Sequence, residues 1–500
     1  MMNASPSIAS RMTPLLLAAL IILAPLFRSG KIPLATLLLE LLAVAAFLAL
    51  WWSSERRVVL GRLEVFLLAA LAVFPLLQLL PLPGLSPLDL PGQADYFMAS
   101  QAAGVDRGAT TLSIIPRETL SGWLILLVPI AVYLLTRASS VRTLQKLVTL
   151  MLVVATLQAV LGLMQFGASP SPVFYLGIES PSTGNAVGTY TSRNNFAGFL
   201  YLSLMLSLAL FMATLGRQTG RAQQGGGLRE RIQYYATADG HRAFMYGAMA
   251  LLLLLAIIFT RSRAGIVLTL MGVLLVSAVF SRRIGGGNAF GRTGVIISLA
   301  VGLAIAIGLG TVLERFTVSD PLSNGRWIIF DGVFDGIGQF FPLGAGTGTF
   351  RQTFARFQDL SQSSYLINRA HNSYLEWIYS GGIVALALIL GFLGLYFARW
   401  FSLWKRGDWG EFRYIQVGAG LGLMLMLLHE LVDYNLFVPA NMVYFAFLAG
   451  LYLHPYREPT APKQRTKPVA ESSAALSEQA LRRVSLLPQA GEPGRNPFMD

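Results

Sequence analysis

The chain has 500 residues, of which 54% are hydrophobic and only 13% are charged, and its formal net charge is +13. Soluble domains carry about 25% charged residues, so this composition excludes an ordinary soluble protein and indicates an integral membrane protein. The absence of cysteine excludes disulfides and thiolate chemistry. The cations lie in short loops between apolar runs, so membrane topology explains them better than a nucleic-acid partner does, and we predict no such partner.

Twelve apolar runs are long enough, or nearly long enough, to cross a bilayer, which takes about 20 residues. In chain order they occupy 12–27, 32–52, 60–82, 118–136, 143–166, 194–215, 243–260, 264–280, 293–311, 372–398, 414–434 and 437–454. The first run follows Arg11 as in a signal peptide, but no clear small-residue cleavage site follows it, so we interpret it as a retained helix. The sequence therefore predicts an all-α polytopic membrane protein with about 12 transmembrane helices in residues 1–454.

The distribution of cations predicts the orientation of these helices. With both termini in the cytoplasm, every loop on the cytoplasmic side carries positive charge, as the positive-inside rule requires. The cations left on the external side are all arginine except Lys31, although arginine also outnumbers lysine in the whole chain. Because the guanidinium group binds phosphate oxygens in pairs and stays charged, such a surface suits an anionic substrate.

Two external segments are long, at 83–117 and 312–371. The second contains an apolar stripe at helical spacing, which predicts a helix that lies along the membrane surface or caps the bundle. The stripe consists of Trp327, Phe330, Phe334, Ile337 and Phe341. Gly344, Gly346 and Gly348 follow it and predict a tight turn, with a phosphate-binding loop as the alternative. The polar composition of residues 455–500 predicts a largely disordered cytoplasmic tail.

Three hydrophilic segments end apolar runs on the external side, and they contain the candidate site residues. They are 188–195 with Arg193, Asn194 and Asn195, 260–265 with Arg261 and Arg263, and 370–376 with His371, Asn372, Tyr374 and Glu376. Charged side chains at membrane depth are costly and usually line a cavity, and a helix N-terminus favours an anion. A histidine has an ordinary pKa near 6.5, so it can take a proton from a hydroxyl group. Taken alone, each segment is also compatible with an interfacial anchor.

A fourth candidate group lies near the end of the run 414–434. His429 and Asp433 are four residues apart and share one side of the helix. They are placed to orient the external site or to pair with its arginines. The chain contains no H-E-x-x-H or D-x-D pattern, so we predict neither a metal ion nor a cofactor.

These residues, in this order, resemble the O-antigen ligase/polymerase family of bacterial membrane glycosyltransferases. The resemblance covers about 188–382, from the Arg193 segment through the Arg261/Arg263 turn and the Gly344–Phe350 loop to His371–Glu376 and Gly381–Gly382. It implies an integral-membrane glycosyltransferase fold in the inner membrane, with the active site facing the periplasm. It also implies a donor glycan linked through diphosphate to undecaprenol, and an acceptor hydroxyl on lipid A core or on a second lipid-linked glycan. The product is then a surface polysaccharide, either O-antigen or exopolysaccharide.

The resemblance implies roles for individual residues as well. Arg261, Arg263 and, by position, Arg193 match arginines that bind the diphosphate, His371 matches an external histidine, and Arg326 is a further candidate. On this hypothesis the arginines supply the positive charge that a metal ion otherwise brings, and His371 accepts the acceptor's proton. The sequence does not decide between ligase and polymerase, and a protein-directed O-oligosaccharyl ligase is a third possibility. A transporter or flippase for lipid-linked oligosaccharide is disfavoured, because it needs polar residues near mid-membrane.

Overall fold

The structure is a computed structural model that describes residues 8–53, 58–105, 108–167, 184–221, 237–284, 294–302, 325–362, 364, 366–404 and 409–456. Every regular element in these residues is helical, so the predicted all-α fold is confirmed. The elements described below belong to one compact unit, Met1–Pro455. The predicted tail lies outside the described residues from position 457 onward, so its disorder and its boundary stay predictions.

The main helices are numbered here in chain order, with single-turn helices left out. They are α1 (Ile8–Leu23), α2 (Pro33–Trp52), α3 (Arg62–Leu77), α4 (Ala94–Ala102), α5 (Pro116–Ala138), α6 (Val141–Gly167), α7 (Arg193–Arg221), α8 (Ala238–Phe259), α9 (Arg263–Ile284), α10 (294–302), α11 (Arg326–Phe340), α12 (Ser373–Trp404), α13 (Glu411–His429) and α14 (Pro439–Leu453).

Among the described residues, 8 helices are long and apolar enough to cross a membrane. They are α2, α5, α6, α7, α8, α9, α12 and α13. The apolar helices α1 and α14 are shorter, and α3 has 16 residues. Only the first part of the run 293–311 is described, as α10. The chain is therefore a polytopic membrane protein, whereas the count of twelve spans stays a prediction.

Helix α7 lies at the centre of the bundle, because 94% of its apolar window is buried compared with 22% for α12. It packs against α8, α9 and α13, and α14 packs against α5 and α13. Gly418 lets α13 approach α7 closely, since a Cβ atom at this position would lie 2.6 Å from the Cβ atom of Ala209. Helix α12 remains at the periphery with much of its surface exposed.

The second segment predicted to be external folds onto one end of the bundle, and the predicted helix is present as α11. Its buried face consists of Ile329, Phe330, Val333 and Phe340. Trp327 and Phe334 of the predicted stripe are exposed, so the buried face is rotated from the predicted one. The reason is a close approach to α12: a Cβ atom on Gly336 would lie 2.3 Å from the Tyr379 ring. This face of α11 therefore caps the bundle.

The three glycines after α11 form a tight turn. All three have a positive φ, of 80° at Gly344, 111° at Gly346 and 83° at Gly348, which favours glycine. The backbone N–H of Gly344 donates to the Phe340 carbonyl, and that of Gly346 donates to the Ser380 carbonyl, each at 2.9 Å. Because the protein itself accepts these hydrogen bonds, the structure favours the turn over a phosphate-binding loop.

Candidate active site

Four helices begin at the end of the bundle that α11 caps. Their first residues are Arg193 of α7, Arg263 of α9, Arg326 of α11 and Ser373 of α12. Free N–H groups make a helix N-terminus attractive to anions and unfavourable for cations. Three arginines at this position therefore work against helix stability, and a bound anion would offset that cost.

Asp433 joins two of these helix starts to the loop that carries His371. Its Oδ2 accepts a hydrogen bond from Asn194 Nδ2 at 2.7 Å and pairs with Arg326 at 3.4 Å. Its Oδ1 lies 3.9 Å from His371 Nδ1. The Asp433 side chain is only 2% exposed, so its charge is held by an amide, a guanidinium and an imidazole rather than by water.

His371 stands immediately before α12 in a left-handed backbone conformation, with φ 53°. Its ring contacts the Tyr434 ring edge-on, with 5.0 Å between centroids, and its side chain is 32% exposed. Nδ1 is buried and has no hydrogen-bond partner among the described residues. Burial lowers the pKa of His371 below its usual value, with a smaller lowering from Arg326, while Asp433 raises it. The imidazole is therefore neutral at neutral pH and able to accept a proton.

Glu430 and Ser373 tie the start of α12 to the turn that follows α13. The Ser373 hydroxyl donates to Glu430 Oε2, and the Ser373 N–H donates to the Glu430 carbonyl at 2.9 Å. Burial raises the pKa of Glu430 to about 8, against the opposing effect of the Ser373 hydrogen bond. Asn372 caps α12 by accepting from the Leu375 N–H at 3.1 Å, and its amide donates to the Leu431 carbonyl at 3.0 Å.

Glu376 and Tyr374 hold the His371 loop from inside α12. Glu376 is buried and accepts from Arg369 at 2.7 Å and from the Ala370 N–H at 2.9 Å. The Tyr374 hydroxyl donates to the Leu427 carbonyl at 2.7 Å. These partners position the loop, while the predicted contacts of both residues with substrate stay predictions.

The Arg261/Arg263 turn lies beside the first turn of α7. The Ser262 hydroxyl accepts from the Gly265 N–H at 3.2 Å and so caps α9. A Cβ atom on Gly265 would lie 2.5 Å from the Cβ atom of Ala197 on α7. Arg261 has φ 55°, and its Nε is buried without a hydrogen-bond partner among the described residues. A strained cation with an unpaired buried nitrogen is typical of a functional position.

The other predicted residues are placed as follows. Arg193 donates to Asn185 Oδ1 at 3.3 Å, and Asn195 is buried, where it donates to Asn435 Oδ1 at 3.2 Å. His429 is also fully buried, with its Nδ1 3.1 Å from the Tyr201 hydroxyl. The structure therefore does not bring His429 to the accessible side of the site.

Residues 248–390 match the O-antigen ligase family model. The predicted resemblance is thereby confirmed over a stretch that contains Arg261, Arg263, Arg326 and the His371–Glu376 segment. No curated protein sequence matches the chain. The O-antigen ligase match and the apolar helices together support a multi-pass membrane protein with a ligase- or polymerase-like glycosyltransferase role.

Asp433 lies outside the matched O-antigen ligase stretch but pairs with Arg326 inside it, and Asn194, also outside it, contacts Asp433. Sequence reasoning did not select Lys31 and Arg369 as site residues, and it placed Glu430 beside His429 in the fourth candidate group without selecting it. Two signals pointed to the first two: Lys31 is the one lysine on the predicted external side, and Arg369 precedes His371 by two residues. Among the described residues, no group of three His, Asp or Glu side chains is arranged to hold a metal ion.

An apolar cleft of about 260 Å³ begins at the candidate active site, between α3, α5, α12 and α14. Ser373, Tyr374 and Glu430 line one end of it, and Glu64 and Tyr133 line the other. Along α12 the lining includes Ser373, Tyr374 and Trp377 before the kink at Gly382, and Leu388 to Leu395 after it.

Proposed function

We propose that this protein transfers a glycan from a polyprenyl diphosphate to an acceptor hydroxyl on the external face of the bacterial inner membrane. The observation that carries the proposal is the imidazole of His371, whose Nδ1 lies 3.9 Å from the buried carboxylate of Asp433. The pair lies among helices whose first residue is arginine. His371 lies inside the stretch that matches the O-antigen ligase model, and Asp433 lies outside it. This arrangement suits proton transfer beside a diphosphate.

The proposed reaction is a single displacement at the anomeric carbon. The acceptor oxygen forms a bond to this carbon as the bond to the diphosphate oxygen breaks, which inverts the configuration. His371 takes the hydroxyl proton, and Asp433 stabilises the imidazolium that forms. Arg261 and Arg263, with Arg193 and Arg326, neutralise the charge that develops on the leaving diphosphate.

The cleft supports a lipid-borne donor. Its lining between the two polar ends is apolar, so it suits the polyprenyl chain of undecaprenyl diphosphate. The same lipid would bring its diphosphate to Ser373 and Glu430 at the end of the cleft next to His371. The acceptor is lipid A core or a second lipid-linked glycan, which distinguishes a ligase from a polymerase.

The far end of the cleft favours an enzyme over a transporter. Tyr133 donates to Glu64 at 3.1 Å, and Arg137 pairs with Glu64 at 2.9 Å. Arg137 also donates to the carbonyls of Val59 and Leu453. A transporter must open its site to both faces, whereas these contacts join α3, α5 and α14 at that end.

Purified full-length protein in liposomes tests the proposal directly. The liposomes contain an undecaprenyl-diphosphate glycan and a lipid-linked acceptor, and no ion gradient is applied. Transfer of glycan with release of undecaprenyl diphosphate supports the enzyme, and the size of the product separates ligation from polymerisation. Movement of the intact donor across the bilayer without transfer would support the transporter instead.

A further inference from the structure

The turn between α1 and α2 has an unusual left-handed backbone. Phe27, Arg28, Ser29 and Gly30 have φ values of 51°, 58°, 57° and 81°. For residues with a Cβ atom this conformation is unfavourable, so surrounding contacts must hold it. The Gly30 N–H donates to the Leu26 carbonyl at 2.9 Å.

Two neighbouring elements fix this turn. Thr36 of α2 donates through its hydroxyl to the Gly30 carbonyl at 2.8 Å. A Cβ atom on Gly30 would lie 2.9 Å from the Cβ atom of Pro439, the first residue of α14, so no other residue fits there without a shift. The backbone strain is thus maintained by packing, and its effect is to set the position of Lys31.

Lys31 lies within the candidate active site. Its ammonium nitrogen is 5.5 Å from the centre of the Tyr434 ring, the same ring that packs against His371. The charged groups that act on it are Arg369, which repels it, and Asp433, which attracts it. Among the described residues, Lys31 forms no ion pair. Burial, with a smaller effect of Arg369, lowers the pKa of Lys31 to about 8.

The charges around this lysine are unbalanced. Three cationic side chains, Lys31, Arg326 and Arg369, surround the carboxylates of Asp433 and Glu376. Glu430 adds no negative charge at neutral pH, because burial raises its pKa to about 8. A partly buried cation without an acidic partner is stabilised by an anion that binds beside it.

We propose that Lys31 is a further substrate-binding residue of this site, with its ammonium group against a phosphate oxygen of the lipid diphosphate. The assignment rests on the proposed function, because that function supplies the diphosphate. Lysine acts there as a compact point charge beside the paired contacts that the arginines make. The strained turn is then the device that places this charge next to His371.

The pH dependence of transfer distinguishes this role from a structural one. The free enzyme binds the donor through Lys31 only while the ammonium is charged, so kcat/KM should fall as pH rises through about 8. Lys31→Arg keeps the charge to far higher pH and should remove the fall. Lys31→Met should raise the donor KM by about tenfold or more, with a smaller effect on kcat.

The effect of Lys31 on the pH dependence of kcat/KM must be distinguished from the effects of other titrating groups at the site. Glu430 also titrates near pH 8, so the Glu430→Gln variant shows how much of the fall in kcat/KM at alkaline pH comes from Glu430. His371, whose pKa burial lowers, titrates on the acid side of this range. Lys146→Met, an exposed lysine of α6, is the matched control and should leave KM unchanged.

Binding of inorganic pyrophosphate to the detergent-solubilised full-length protein gives an independent readout. Weaker binding by Lys31→Met than by Lys146→Met supports the lysine even if no glycan transfer is found, in which case only the proposed function fails. If wild-type protein transfers glycan and Lys31→Met has the same donor KM, pH profile and pyrophosphate affinity, Lys31 is not a substrate-binding residue.

Discussion

The two ends of the bundle use cationic side chains in opposite ways. At the end away from His371, Arg137 lies in the last turn of α5 and binds Glu64 and the carbonyls of Val59 and Leu453. Arg399 of α12 similarly donates to the Tyr452 and His454 carbonyls, at 2.9 and 2.7 Å. There the protein supplies the partners, and the arginines join helices together.

At the His371 end, the arginines stand instead at helix N-termini. Arg193, Arg263 and Arg326 each begin a helix, and Arg261 lies two residues before α9 with a positive φ of 55°. Helix dipoles favour cations at C-termini and disfavour them at N-termini. The comparison teaches that the place of a cation along its helix, more than its residue type, separates a structural role from a binding role.

The largest expected effect is at His371. Replacing it with alanine removes the proposed base and should lower kcat by about 10²- to 10⁴-fold, with little change in protein level in the membrane. His241→Ala is the matched control, because His241 is exposed at the start of α8, and it should transfer at the wild-type rate. Retention of full transfer by His371→Ala would remove the imidazole from the mechanism.

Arg261 and Arg137 test the comparison between the two ends. Arg261→Gly should lower kcat by about 10²-fold, because charge stabilisation is lost. It should also raise the free energy of unfolding by about 1 kcal/mol, because glycine relieves the φ of 55°. Arg137→Ala should instead cost about 3–5 kcal/mol of stability, because Glu64 is left buried without its partner.

Thermal unfolding in detergent and donor kinetics in liposomes measure both effects. The comparison fails if Arg261→Gly unfolds more easily than wild type, or if Arg137→Ala keeps its stability but loses affinity for the donor.

The Asp433→Asn variant should change the acid side of the pH profile of kcat/KM. The charge of Asp433 raises the pKa of His371 against the lowering caused by burial, so Asp433→Asn lowers that pKa further. The fall in kcat/KM at low pH should therefore move to lower pH, and the maximal rate should drop by about tenfold as the imidazolium loses roughly 1.4 kcal/mol of stabilisation. An unshifted acid limb would show that Asp433 does not act on His371.

The smallest effect on transfer is expected at Glu430, where the change concerns stability. Its folded-state pKa of about 8 is raised above the ordinary 4.5, so its contribution is complete below pH 4.5 and is lost as pH rises through 8. The melting temperature of the wild type should fall over that interval, and Glu430→Gln should show a smaller fall. Equal slopes for the two proteins would mean that Glu430 is not held protonated.

Sequence reasoning predicted the all-α fold that the structure shows, and it selected three candidate site segments without identifying the partners of their residues. Apolar length and loop charge predict the helices, and the three segments can be selected because charged side chains at membrane depth are costly. The pairing of Asn194 with Asp433 joins residues 239 positions apart, which no local pattern encodes. Nor could spacing show that Glu376 turns back to Arg369, or that His429 is enclosed beside Tyr201.

The peripheral position of α12 has a consequence for how substrate arrives. Its cleft-lining face borders α3 at the outside of the bundle, so a hydrocarbon chain can slide in sideways from the bilayer without crossing water. The supply of the proposed donor then depends on the number of donor molecules per area of membrane. We expect the rate in vesicles to follow the mole fraction of donor among the lipids, and diluting the vesicles with buffer should leave the turnover per enzyme unchanged.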